Sequence, residues 1–489
     1  MKIAFVTHSF PESAEHDPTF PATWELSNAL QRLGHEIAVF TFAEKELRET
    51  FKEYVQINGI HVWRKPLDRS LYTFFENHGK LPIFGWQLAR ARELYNKFSV
   101  ELERFNPDVI ESHEFYSPAL FWSQNKKFPI VIRCYGAMSM LMRKQVIGKY
   151  LELDEHFVEK AEMLSIESAD GLIAISNDVA EYLGSRGRRR KEEFEIIRVP
   201  LTVNEQALPA TNTVSKESYP RIFYFGKISK LKGVDLLVQA LPMVLEKFPN
   251  ARLLMAGPDN IDFGDDKPYS QIAQEQLEEL GIAAHAEIRG FLSRAAIKQL
   301  SLDYDVCVFP SKYETACYTC LEAVSYGAAV IATAVGGLPE YHIANKSAVL
   351  IEPNSPQALA QGIIDLCTNE ELKRTLVAEG AKHVRQFCNP DLIAQESLKA
   401  YQRAIRSFSE TSRNVSLSLS MDEIAQLLDE SQQFENEKEL AKAYKAGFID
   451  GIKSFPKHVR NHCKAMIFEI ASRSGLYGLA RSIKKKLSQ

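Results

Sequence analysis

Short apolar runs alternate with amphipathic stretches from the first residue to about position 407, and they fall into two consecutive series. In the first series, residues 2–7 read as a buried strand. Residues 23–33 follow as a helix, with Trp24, Leu26, Ala29, Leu30 and Leu33 at helical spacing. Gly34 then ends that helix by taking the left-handed cap conformation. Residues 36–41 form the next strand, and further strands are expected at 108–111, 130–134, 171–175 and 195–199. The polar stretch 206–220 contains Pro209 and Pro220 and reads as a linker. The second series has strands at 222–225, 252–256, 286–288, 306–309, 330–332 and 348–351, with a helix at 234–248. Strand–helix alternation predicts parallel sheets covered on both faces. Two doubly wound α/β domains, 1–205 and 221–388, then face each other across a cleft. Ligands of such sheets bind beyond the carboxyl ends of the strands.

The length of 489 residues suits about three units at roughly 150 residues each. With 45% hydrophobic and 25% charged residues, extensive disorder is excluded. The net charge of −4 argues against a nucleic-acid partner. Seven cysteines, an odd number with several in apolar runs, fit a reducing compartment. The apolar stretch before Thr7 and His8 is too short for a signal peptide, and no run approaches the ~18 apolar residues of a membrane span. A cytoplasmic protein is expected. A segment at 389–407 reads as a helix. The serine-rich stretch from 408 reads as a second linker, and a helical extension follows to 489. Residues 453–489 hold nine Lys/Arg against Glu469, a net +8. There Leu476, Leu479, Ala480, Ile483 and Leu487 share one helical face beside Arg481 and Lys484, Lys485 and Lys486. Such a helix suits either an anionic membrane surface, at its inner face, or docking on the protein itself. The basic run 185–193 reads as a solvated loop, with lipid or an anionic acceptor as the other reading.

The richest stretch for chemistry is 306–340. A strand ends at Phe309, Pro310 and Ser311 turn the chain, and a short loop holds Glu314. A helix opens near Cys317 and Tyr318 and carries Glu322. Unpaired N–H groups and the dipole at a helix start attract anions. Carboxylates before and within that helix accept hydrogen bonds from hydroxyls. The set suits a molecule with phosphate in the middle and polyols at both ends, which is a nucleotide sugar.

Pro310, Ser311, Glu314, Glu322, Ala323, Gly327, Val330, Gly336, Gly337 and Glu340 resemble the donor-site signature of family 4 glycosyltransferases, which have the two-domain GT-B fold of Rossmann-like halves. The resemblance implies that Glu314 holds hydroxyls of the transferred sugar and Glu322 the ribose. It also implies that backbone amides around Ala316, Cys317 and Tyr318 hold phosphate and sugar. The family usually has Gly where Cys317 stands. The Cys317 and Cys320 pair could instead signal redox or metal chemistry, although zinc wants four ligands and no second such pair exists.

Gly226, Lys227, Lys232 and Gly233 resemble the family's Gly-Arg and Lys-Gly cluster. Lys227 replaces an arginine and loses its bidentate fork. Two cations there would stabilise a departing diphosphate without a metal; the plain alternative is a solvated turn. Arg289, Gly290 and Phe291 resemble the turn near the nucleotide base, and Asn389-Pro390 the segment that crosses back to brace the first domain.

In the first domain, Gly34-His35-Glu36 matches the family. The loop with Ser9, Phe10, Pro11, His16, Asp17, Thr19 and Phe20 resembles a subgroup's acceptor-side loop, with Pro18 in place of a glutamate. Relatives carry a histidine where Tyr135 stands. A phenol donates hydrogen bonds but is a poor base near neutral pH. Tyr135 then positions a hydroxyl, or the histidine's role passes to His113 or His16; the alternative is a structural His113.

The resemblance implies a retaining hexosyltransferase that moves sugar from a nucleotide-sugar donor to a glycan or lipid-linked acceptor in polysaccharide or cell-envelope synthesis. No cofactor and no metal are expected. The rivals are a sugar-nucleotide epimerase, which lacks the paired glutamates, and a non-catalytic scaffold suggested by Tyr135 and Cys317. Nicotinamide chemistry is opposed by the absence of Gly-x-Gly-x-x-Gly after any strand.

Overall fold

The computed structural model describes residues 1–11, 21–43, 52–67, 82–125, 127–143, 152–203, 220–259 and 267–411. The acceptor-side loop residues His16, Asp17, Thr19 and Phe20, most of the linker, and the stretch 412–489 lie outside them. Two sheets organise the chain, and each starts from a strand whose residues are almost wholly apolar. In the first sheet these are β1 (Lys2–Val6), β2 (Glu36–Phe42), β3 (Tyr54–Ile57), β4 (Ile60–Lys65), β5 (Val109–His113), β6 (Ile130–Cys134), β7 (Gly171–Ala174) and β8 (Phe194–Ile196), in the order β3-β4-β2-β1-β5-β6-β7-β8. The second holds β9 (Arg221–Phe225), β10 (Arg252–Ala256), β11 (Ala286–Arg289), β12 (Val306–Phe309), β13 (Val330–Thr333) and β14 (Val349–Ile351), in the order β11-β10-β9-β12-β13-β14. The order reverses at β1 and at β9, so each sheet is doubly wound and its crevice opens at that strand's carboxyl end.

Every pairing is parallel except that of β3 with β4. That hairpin was not anticipated above. Its turn is Asn58-Gly59, both at positive φ, which is the backbone a two-residue hairpin of matching twist demands. Two other expectations need correction. The strand expected at 195–199 is the shorter β8, because Val199 N–H donates to the Tyr341 hydroxyl at 3.1 Å and Pro200 has no N–H to offer a ladder. The helix expected to end at 407 runs on as Pro390–Thr411, serine costing a helix only about 0.5 kcal/mol per residue.

That last helix follows the second sheet in sequence yet packs on the first domain. Its Tyr401 and Ser397 meet a buried ion pair between Arg133 of β6 and Glu111 of β5. The guanidinium donates to both carboxylate oxygens, at 2.9 and 3.1 Å, and to Ser397 Oγ at 2.7 Å; the Tyr401 hydroxyl donates to Glu111. Both charged side chains are almost completely hidden from water. A cation so buried needs hydrogen-bond partners; Nε and Nη2 have them, while Nη1 is buried without one among the described residues. Gly171 makes room for the same helix, since a Cβ there would stand 2.9 Å from that of Ala404. One apolar cluster is continuous through both domains, from Val6 and Ala174 to Tyr313, Leu338 and Tyr341. No helix of the described residues is long and apolar enough to cross a membrane.

Removing one partner of the buried pair leaves an uncompensated charge. Glu111→Ala should therefore lower stability by about 3–5 kcal/mol, read as a fall in the urea midpoint. The double replacement Glu111→Leu with Arg133→Met should cost less than the single one.

Candidate donor and acceptor site

The segment after β12 is held by backbone packing that allows no side chain. A Cβ on Gly233 would lie 1.9 Å from the Pro310 carbonyl oxygen. One on Gly336 would lie 2.1 Å from that of Glu314, and one on Gly337 2.0 Å from that of Thr315. Gly233 and Gly336 also sit at φ +73° and +51°, where glycine is unhindered. The Gly337 N–H donates to the Glu314 carbonyl at 2.9 Å. Three glycines from two other turns thus press on residues 310–315 and fix where Glu314 points.

Glu314 is buried and accepts from Ser311 Oγ at 3.0 Å and from Lys232 Nζ at 2.5 Å. Burial works to lower the Lys232 pKa, but the Glu314 charge, the Cys317 thiol nearby and the hydrogen bond to Glu314 together outweigh it and the ammonium ends above its usual value. The helix Tyr318–Tyr326 starts immediately afterwards, with Cys317 as its N-cap and Glu322 a little over one turn in. Cys317 sits at φ +54°, in the left-handed region that glycine enters without strain. Its sulfur lies 3.5 Å from Thr319 Oγ1. Gly226, at the end of β9, brings its backbone toward the same helix start: a Cβ on it would stand 3.9 Å from Thr319 Oγ1. Gly257 packs on the Gly226 carbonyl, and its N–H donates to the carbonyls of Arg289 and Gly290. The ends of β9, β10 and β11 are thereby locked side by side.

The structure brings together Lys232, Glu314, Ala316, Cys317, Tyr318 and Glu322. Lys227 is exposed at the rim, its carbonyl accepting from the Tyr224 hydroxyl at 2.6 Å. The Arg289 guanidinium is outside this group: it pairs with Glu287 on the surface, at 2.6 and 3.0 Å. Phe291 projects its ring into solvent at 72% exposure. Arg294, which sequence reading missed, lies 3.5 Å from Glu322. No spacing rule joins residues on two different helices, so only the fold reveals that contact.

On the facing domain His113 is the last residue of β5, not a residue beyond the strand as expected. It lines a small pocket with Thr7, Thr23 and Tyr135, and its Nε2 lies 3.4 Å from the Thr7 hydroxyl. Burial, with the Arg90 charge adding to it against a backbone bond at Phe115, lowers its pKa to about 4. Burial also pushes the Tyr135 phenol up, so at neutral pH the pair presents a neutral imidazole and a neutral phenol. Two buried glutamates shape the turn after β6. Glu114 accepts from Tyr135 N at 3.0 Å and Gly136 N at 2.6 Å; Glu162 accepts from Met138 N at 2.7 Å and from both Ser139 N–H and O–H. Desolvation raises the first to about 7 and the second to about 8. The shaped turn touches the donor side, because a Cβ on Gly136 would be 2.7 Å from Thr315 Cγ2. Among the described residues no group of three or more His, Cys, Asp or Glu is placed to hold a metal ion.

Two outcomes follow from this geometry. Returning the left-handed position to glycine, Cys317→Gly, should leave the protein more stable than Cys317→Ala by about 1 kcal/mol in denaturant melts. The raised carboxylates bind protons in the native state that the unfolded chain has lost above its carboxylate pKa, near 4.5. Their stabilisation is complete below that pH and is lost as pH rises to about 7 and about 8. His113 acts oppositely, but only below its unfolded value near 6.5. Stability should therefore fall from pH 6.5 to 8, by on the order of 1–2 kcal/mol, and Glu162→Gln should flatten that slope.

Residues 22–199 match the family model described as Glycosyltransferase Family 4, and residues 210–383 that described as Glycosyl transferases group 1. The chain is 24% identical over 416 residues to an uncharacterized glycosyltransferase of Methanocaldococcus jannaschii, covering 83% of this chain and 99% of that protein. In three dimensions it is similar to sucrose-phosphate synthase from Thermosynechococcus elongatus, with a TM-score of 0.63 at 19% identity over 83% of this chain and 99% of that one. HepE from Anabaena, solved in complex with UDP-glucose, gives 0.59 at 18% identity over 82% and 99%. With both halves matched in sequence and the two-domain GT-B architecture in place, the chain resembles the family 4 glycosyltransferases across both domains.

Proposed function

We propose that this glycosyltransferase takes a hexose from a uridine diphosphate sugar and transfers it with retention of anomeric configuration to a hydroxyl of a glycan or lipid-linked acceptor. The observation that carries this reading is the ion pair of half-buried Lys232 with buried Glu314 beside the start of the helix Tyr318–Tyr326. Glu314 receives sugar hydroxyls, while Lys232 and the free N–H groups at the helix start meet the diphosphate. Charge that develops as the diphosphate leaves falls on groups already in place, so no metal is called on. Glu322, held toward Arg294, takes the ribose. UDP is favoured as the nucleotide because HepE, similar in fold, was solved with UDP-glucose.

His113 and Tyr135 face the acceptor. Both are neutral, so they order a hydroxyl by hydrogen bonding and the leaving phosphate oxygen takes its proton. The bond from the anomeric carbon to the phosphate oxygen breaks as the bond to the acceptor oxygen forms on the same face. A basic stretch at 453–489 would bring the enzyme to an anionic membrane surface that carries lipid-linked acceptors.

A thermal-shift panel with UDP, GDP and ADP tests the donor reading. At 100 times its Kd the correct nucleotide should stabilise by about 2.7 kcal/mol, and Glu322→Ala should remove that shift. Glu314→Gln should lower kcat/KM by about 10²–10³-fold. The product's anomeric proton coupling should match that of the donor. Stabilisation by GDP or ADP alone would overturn the choice of UDP, and an inverted product would overturn the mechanism.

A further inference from the structure

Glu340 closes the signature that identifies the donor half, yet its carboxylate is not directed at the donor pocket. It crosses to the other domain. Oε2 accepts from Asn177 N–H at 2.9 Å and from Asn177 Nδ2 at 2.7 Å, and Oε1 accepts from Asp178 N–H at 3.0 Å. Arg198 Nη1 stands 3.0 Å from Oε2. Burial alone would raise this carboxyl, but the three N–H groups and Arg198 together bring it below its ordinary value. The groups it caps are the first residues of the helix Asn177–Gly184, whose opposite support is Ser176 Oγ on Val179 N–H.

Neighbouring contacts run the same way. The Tyr341 hydroxyl donates to the Ile175 carbonyl at 2.8 Å and accepts from Val199 N–H at 3.1 Å. The Tyr313 hydroxyl donates to Asp178. The Tyr318 hydroxyl donates to the Pro200 carbonyl at 3.2 Å. The Gly336-Gly337 turn, which rests on the Glu314 and Thr315 carbonyls, lies only a few residues before Glu340. A Cβ on Gly337 would also meet Ser176 Cβ at 3.0 Å. One short piece of chain therefore touches the donor glutamate's backbone at one end and the facing domain's helix at the other.

We propose that Glu340 is a positioning residue: by capping the helix Asn177–Gly184 it sets the approach of the two domains and so aligns Glu314 with the acceptor side. This rests on the reading that donor and acceptor are held by opposite domains. Transfer needs the reacting atoms about 3–3.5 Å apart, and a displacement near 1 Å can cost about 10²-fold in rate. A carboxylate that accepts from four donors at once cannot be copied by an amide, which keeps only one acceptor oxygen. The donor pocket itself lies wholly in the second domain and does not need Glu340 to form.

The test compares Glu340→Gln and Glu340→Ala with the wild type by three readouts: kinetics, UDP affinity by calorimetry, and small-angle scattering of the free protein. Both variants should lose about 10- to 100-fold in kcat, while UDP affinity stays within about twofold. Their radius of gyration should exceed that of the wild type. An unchanged kcat overturns the proposal, as does UDP affinity that falls in step with kcat, which marks a folding defect. Unchanged scattering also overturns it. A wild type that turns over no nucleotide sugar would defeat the donor reading alone, and the scattering comparison would still decide what Glu340 does.

Discussion

Everything at this site depends on a carbonyl-lined strip of backbone, residues 310–315, against which glycines from two separate turns are pressed. Their contacts leave no room for a methyl group at Gly233, Gly336 or Gly337. Close packing of this kind fixes a loop without secondary structure of its own. It places a buried carboxylate, Glu314, next to a half-buried ammonium, Lys232. The lower dielectric around the buried partner makes the pair stronger than one on a surface. It is also ready to exchange part of its bonding for a polar ligand.

The same device recurs on the acceptor side with carboxylates as backbone fasteners. Glu114 grips the Tyr135-Gly136 turn, Glu162 the start of the next helix, and Asp154 the N–H groups of Ile83 and Phe84 at 3.0 and 2.9 Å. Loop backbone near a cleft must find hydrogen-bond partners when it is buried. A side-chain carboxylate supplies two acceptors at once and leaves the strand ends open for substrate. The cost is desolvation, which shows in the raised pKa values of Glu114 and Glu162. The turn they hold is the one that meets Thr315, so both walls of the cleft are rigid where they touch.

The signature of the second domain was legible because it is local. Glu314 and Glu322 flank a helix start, and fixed spacing along one strand, loop and helix carries them. The doubly wound order was equally legible, since runs of strand and helix alternate plainly. What escaped has long-range or opposed causes. The Asn58-Gly59 turn was visible in the sequence, and Val55-Gln56-Ile57 and Ile60-His61-Val62 alternate around it, but the two strands are short and lie at the edge of the sheet, away from the strand–helix rhythm that marks the rest. Glu340 was visible as part of a motif, yet its partners lie 162 and 163 positions away. Arg294 and Glu322 meet only because two helices converge. His113 belongs to β5 despite ending in polar residues, because Ser112 and His113 pair with Ile132 and Arg133 of β6. Register overrides composition there.

Three departures from the family pattern fall within the described residues, and they act at different depths. Lys227 for arginine changes a group at the exposed rim, where a point charge in water is worth little; Lys232, in contact with Glu314, carries the interior charge. Cys317 for glycine changes the wall itself, for it adds a side chain at a left-handed residue one step before the helix Tyr318–Tyr326. Tyr135 for histidine changes the opposite wall without moving it, since Glu114 holds the turn through backbone N–H groups that any residue but proline supplies. The scaffold is thus indifferent to the identity of residue 135, while the pocket is not. Substitution at such a position alters which hydroxyl is greeted and by what donor, and leaves the cleft's shape alone. The loop 310–315 has no such freedom, because it is fixed by contacts that tolerate no added atom, and a change there reaches the backbone as well as the pocket.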